Sequence, residues 1–81
     1  FDHANTDNLF KMFDMLELES KTLVEKKLSL PAYDQCLKAS HVFNILDARG
    51  VISVAQRAEY IGRIRDITKG VAEIWLSSQA E

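Results

Sequence analysis

Only two breaks interrupt this chain, and each carries the chemistry that ends a helix. The first is Ser29-Leu30-Pro31, which holds the sole proline; the second runs from Arg49-Gly50 to Ser53. Around them apolar residues return every three or four positions, the period of an α-helix, and almost nowhere alternate as a strand would. Helical segments joined by connections this short are antiparallel neighbours. The pattern therefore predicts an all-α fold: an antiparallel three-helix bundle with a long C-terminal helix. The helices are placed at about 6–27, 31–48 and 54–77, in a single domain spanning 1–81. Apolar residues are 47% of the chain and charged residues 27%, enough apolar surface for a core and too much for a disordered segment. There is no internal repeat and no low-complexity tract.

The third helix is written most clearly. Ser53, with Gln56 three residues later, is a capping box. Tyr60, Ile61, Ile64, Ile67, Val71, Ile74 and Trp75 then form one stripe about 140° wide. Gly62 and Gly70 each weaken this helix by about 0.8–1 kcal/mol relative to alanine, and Gly70 is a candidate for a close contact. In the second helix Pro31 suits the first position, where its missing N–H is not needed, and Gly50 is placed as a stop. Asp34, Lys38 and His41 share a narrow arc, while Tyr33, Cys36, Leu37, Val42, Phe43, Ile45 and Leu46 cover most of the rest. A helix apolar nearly all round is expected to be the central one, surrounded by other elements. In the first helix Asn5 and Thr6 are capping types, and Asp7 brings negative charge to the first turn. Leu9, Phe13, Leu16, Leu23 and Val24 form its buried face, with Phe10 and Met12 at the flanks, and Lys26 and Lys27 suit the last turn. Met15 and Leu18 point away from that face and mark a candidate second contact surface.

Composition excludes several functions. A formal net charge of −2 argues against a dedicated nucleic-acid module, whose affinity comes largely from neutralised phosphates. Cys36 is the lone cysteine, so neither an internal disulfide nor a CxxC metal pair is available. That usage fits a reducing compartment, and the cytoplasm is the expected location. No apolar run approaches the ~18–20 residues that span a bilayer. A chain opening on Phe1, without methionine or a signal-peptide charge pattern, reads as a fragment of something longer. There is no Gly-rich phosphate loop, HExxH, GxSxG or EF-hand pattern.

The single residues with chemical potential have plainer readings beside them. His41 titrates near neutrality, yet it lies in the polar arc with no carboxylate and nucleophile spaced to join it; a solvated or structural histidine is expected, and His3 carries still less information. Cys36 is read as core packing rather than a nucleophile. Glu17 and Glu19 lie on different helix faces and do not form a paired acid. Arg57, Arg63, Arg65 and Lys69 make the third helix locally basic, but Arg63 and Arg65 flank the stripe on opposite sides, as a solvated rim does. Ser40, Asn44 and Asp47 form a polar seam in line with Tyr33 and Leu37. Arg57 falls in the middle of the third helix's stripe, where a buried charge needs a partner. Either Arg57 pairs with Asp47 across the 49–53 turn and locks its geometry, or it reaches solvent. Both are structural roles. The residues by themselves support no catalytic, cofactor-binding or metal-binding site, and stop at a helical packing or docking domain.

An ordered set of short runs carries a resemblance. Leu30-Pro31-Ala32-Tyr33, Leu37-Lys38-Ala39-Ser40-His41 and Phe43-Asn44-Ile45-Leu46-Asp47-Ala48-Arg49-Gly50 are followed by Ile52-Ser53-Val54, Arg57, Tyr60-Ile61 and Arg63-Ile64-Arg65. With the opening Phe1-Asp2-His3-Ala4-Asn5 and the Leu9-Phe10 pair, they resemble the C-terminal helical domain of the alpha subunit of bacterial tetrameric glycyl-tRNA synthetase, over nearly the whole chain. The resemblance implies a class II enzyme that joins glycine to its tRNA using ATP and magnesium, with a catalytic domain on an antiparallel sheet upstream. The class II signature motifs belong to that upstream domain, so no catalytic, ATP-contacting or glycine-contacting residue is carried onto these positions. The implied partners are the chain's own catalytic domain, a second alpha subunit, the tRNA-binding beta subunit and, through the whole enzyme, tRNA; no membrane is implied. Many relatives read Thr-Glu-Arg where this chain has Ala55-Gln56-Arg57, and its end, Ser77-Ser78-Gln79-Ala80-Glu81, departs from the usual tail. Two rival readings stay open: a free-standing helical protein-interaction or regulatory module, and a helix-turn-helix nucleic-acid binder reading with its third helix.

Overall fold

The computed structural model describes the backbone of residues 3–80 and the side chains of residues 6–77. Three helices follow one another: α1 (His3–Glu25), α2 (Ser29–Ala48) and α3 (Val54–Ala80). The described residues contain no strand. Contacts between helices fix their directions. Ser20 meets Ala32 and Cys36 meets Thr68, so α1/α2 and α2/α3 run antiparallel. Asp14 and Glu17 meet Arg63 and Val24 faces Gly70, so α1 and α3 run parallel, up-down-up. The long α3 draws the molecule out to 48 × 21 × 15 Å.

The helix ends differ in detail from the sequence-based expectation. α1 is already helical at His3, so Asn5 and Thr6 lie inside it and Asp7 falls beyond the first turn, which holds no acid; the side chains of His3 and Asn5 lie outside the described residues. At the other end Glu25 is the last helical residue, and Lys26 and Lys27 make the cap. Lys27 sits at φ 61, with its N–H on the Val24 carbonyl and the Leu28 N–H on the Leu23 carbonyl, each at 2.9 Å. That pair of reverse bonds is a Schellman motif, closed here by a lysine where glycine is usual. α2 starts two residues before Pro31, at Ser29, with Leu28 preceding it and no side-chain cap. Pro31 is still tolerated because the first intrahelical bond runs from the Ala32 N–H to the Leu28 carbonyl, leaving the three N–H positions before it without helical partners. Gly50 ends α2 at φ 68, and its N–H bonds the Asp47 carbonyl. The capping box of α3 is formed in both directions: Ser53 N–H to Gln56 Oε1 at 2.9 Å, and Gln56 N–H to Ser53 Oγ at 3.1 Å.

The core has two parts. Around Tyr60 gather Phe13, Val42, Phe43 and Leu46, with Leu9, Leu16, Ile52 and Ile64 at the margin. The Phe13 ring meets Tyr60 edge-on at 4.7 Å and 85°, an arrangement worth about 0.5–1.5 kcal/mol beyond burial. Nearer the α1–α2 turn, Ala32, Cys36, Ile67 and Val71 form the second part with Leu23 and Val24. At this end α1 and α2 carry Ser20 and Ala32 into full burial, the Ser20 hydroxyl donating to the Ala32 carbonyl at 2.9 Å. Gly70 is not required by contact, since an added Cβ would sit 3.6 Å from Val24 in ordinary packing.

α2 is central in the chain but is not enclosed. Its Ala32, Cys36, Ala39, Val42, Phe43 and Leu46 are buried, while Leu30, Tyr33 and Leu37 on the remaining side are exposed. Three helices of similar length cannot surround one of their number, so the apolar surplus read from its sequence faces outward.

Candidate docking surface and its supporting ion pairs

The strongest electrostatic feature lies where α1 and α3 run side by side. Asp14 and Glu17 stand one turn apart on α1, beside Phe13; Arg63 stands one turn from Tyr60 on α3. The Arg63 guanidinium donates from Nε and Nη2 to the two Glu17 oxygens at 2.9 and 2.6 Å, and from Nη2 to Asp14 Oδ1 at 2.7 Å. It also lies 4.8 Å from the Phe13 ring centre and 4.9 Å from that of Tyr60. The hydrogen bonds from Arg63 hold the Glu17 carboxyl below its usual range, against the opposing effect of burial. Arg63 is itself pushed up, first by its bonds to Glu17, and burial pushes the Tyr60 hydroxyl up. Arg63 was expected on a solvated rim, and Glu17 was considered only beside Glu19 and set aside as a paired acid; the structure instead joins Arg63 and Glu17 in a partly buried clamp between helices. The available signal was the acid pair at Asp14 and Glu17, on the flank of the α1 apolar face.

Arg57 Nε lies 3.3 Å from Asp47 Oδ2 across the 49–53 turn. The Arg57 side chain is 57% exposed, so it sits at the edge of the α3 stripe and not in its buried middle. Ile61 and Trp75, on the same edge, are also exposed, whereas Tyr60, Ile67 and Val71 are buried. Ser40 is partly covered and Asn44 exposed, so the polar seam on α2 borders the open side. His41 is exposed. Cys36 is buried, its sulfur 3.3 Å from Thr68 Oγ1. Because the single Thr68 hydroxyl proton goes to the Ile64 carbonyl at 2.8 Å, the Cys36 thiol is the donor of that contact.

Beyond Cys36 and Thr68 a groove of about 320 Å³ opens between the start of α2 and the end of α3. Leu30, Tyr33, Val71, Ala72 and Trp75 line it, and Ser29 and Thr68 are its polar members. Leu30 is 68% exposed and Trp75 45%, an apolar concavity that folding has left uncovered. Sequence periodicity placed Tyr33 and Trp75 on apolar faces without indicating that both would face outward together. Met15 and Leu18 are exposed on α1, apart from the groove-lining residues.

The groove offers shape and apolar contact. Among the described residues no group of three or more His, Cys, Asp or Glu side chains is placed to hold a metal ion, and no described helix is long and apolar enough to cross a membrane. Compared with protein-family models, residues 1–80 match that of the glycyl-tRNA synthetase alpha subunit.

Proposed function

Since the chain belongs to the glycyl-tRNA synthetase alpha subunit family, we propose that it serves that enzyme as a scaffold and docking domain without catalytic groups of its own. The apolar groove between α2 and α3 carries this reading: it lies on a rigid frame of two antiparallel helices and is the kind of surface that a partner, not water, covers. The whole enzyme is a class II ligase that charges tRNA with glycine at the expense of ATP, with magnesium, in the cytoplasm. In this reading ATP and magnesium belong to the catalytic domain that the resemblance implies; among the described residues no group of three or more His, Cys, Asp or Glu side chains is placed to hold the metal. The partners of this domain are that catalytic domain, a second alpha subunit and the beta subunit, with tRNA bound by the assembly. Asp47 and Arg57 act structurally, orienting α3 against α2 at the turn.

The test is made in the whole synthetase. Trp75→Glu places a charge in the groove and is expected to weaken subunit or domain association and to lower glycine charging, with the helical content unchanged. Intact association and activity would remove the docking role. Glycine-dependent ATP–pyrophosphate exchange by residues 1–81 alone would place catalysis here after all.

A further inference from the structure

The groove has the geometry of a bundle that lacks one helix. α1 covers one side of the α2/α3 pair; Leu30 on α2 and Trp75 on α3 line the groove, and Leu37 and Ile61, exposed as well, share their helix faces by spacing. Leu30 and Leu37 are seven residues apart, and Ile61, Thr68 and Trp75 follow one another at sevens. That spacing keeps each rim running along its helix instead of winding off it, as in a seam made for a further helix.

The two rims differ in charge. On α2, Asp34 and Lys38 neutralise each other at 3.4 Å. On α3, Arg65 stands three residues before Thr68 and Lys69 three before Ala72, next to groove-lining positions on the helix surface. Both are exposed, and among the described residues neither has an ion-pair partner. We propose that the groove takes one amphipathic helix from a partner protein, apolar along its buried seam and acidic on the flank that meets Arg65 and Lys69, completing a four-helix bundle. The proposal rests on the docking reading above and names the chemistry of the occupant. A second copy of the chain suits the groove less well. Two grooves face to face bring the same cations together, and one copy's α1 seated in the next copy's groove makes a head-to-tail contact, which yields a ring or a filament and not a closed pair. Nucleic acid would satisfy the two cations but leave the apolar seam uncovered.

The experiment uses the whole synthetase with its partner subunits. A photoreactive phenylalanine analogue replaces Leu37, the complex is irradiated, and the attached peptide is identified by mass spectrometry. The expected product is a helical segment of another polypeptide with acidic residues along one flank. In parallel, Arg65→Glu with Lys69→Glu is expected to weaken association at least about tenfold at low salt, and less at high salt, because attraction becomes repulsion. A cross-link to a second copy, to RNA, or to nothing but solvent overturns the proposal. Unchanged association of the charge-reversed variant also overturns it; if Trp75→Glu still disrupts assembly, the docking reading stands and only the acidic helix falls.

Discussion

Glu17 keeps only 14% of its side-chain surface and Arg63 25%, so removing either partner leaves a charge that water cannot fully re-solvate. Arg63→Met is expected to cost about 2–3 kcal/mol of unfolding free energy, since it removes three charge-assisted bonds and two ring contacts. Glu17→Gln should cost less, about 1–2 kcal/mol, because an amide can still accept from the guanidinium. Urea denaturation of the three proteins measures both. The same pair sets a pH dependence. Arg63 lowers the folded-state pKa of Glu17 below the ordinary value of 4.5, so the unfolded chain takes up that proton first as the solution is acidified. The stabilisation is whole above about pH 4.5 and is lost as pH falls through the depressed value. Thermal unfolding between pH 6 and pH 3 should therefore destabilise the parent protein more than Glu17→Gln; equal slopes would show that Glu17 titrates alike in both states.

At the scale of the helix, ends matter as much as faces. Lys27 holds a left-handed conformation at φ 61 that costs a residue bearing a Cβ about 1 kcal/mol. Lys27→Gly is expected to stabilise the α1 cap by up to about 1 kcal/mol, and Gly50→Ala at φ 68 to destabilise the α2 cap by a similar amount, although nothing lies within 4 Å of an added Cβ there. Opposite shifts in the urea midpoint would separate backbone strain from packing. The turn after Gly50 also carries the Asp47–Arg57 pair, exposed at 35% and 57%. A double-mutant cycle on alanine variants should give a coupling of about 0.2–1 kcal/mol; none at all would deny the pair any part in locking the turn. The capping box at Ser53 and the stop at Gly50 were legible because each is a local rule acting within four residues. The cap at Lys27 was not, because lysine gives no sign of a left-handed backbone.

At the scale of the whole molecule, the approach of α1 to α2 depends on two small residues, Ser20 and Ala32, both fully buried. Ser20→Leu is expected to cost about 1–3 kcal/mol by overpacking, while Ser20→Ala stays within about 1 kcal/mol, losing a single hydrogen bond; calorimetric unfolding distinguishes them. Ser20 is small and polar, yet it stands seven residues after Phe13 and three before Leu23, on the buried face. The sequence by itself determined three helices, their short connections, their antiparallel order and the positions of most core residues. Those follow from local propensity and from the 3.6-residue period, which act within a helix. It did not determine which flank of α3 would face α1, since a bundle turned either way buries the same stripe. Tertiary structure made that choice: the Arg63 flank lies against Asp14 and Glu17, while Arg65 and Lys69 remain on the open side. Packing in three dimensions also left Leu30, Tyr33 and Trp75 exposed around one groove, because three helices offer too little surface to cover every apolar face that their sequences present.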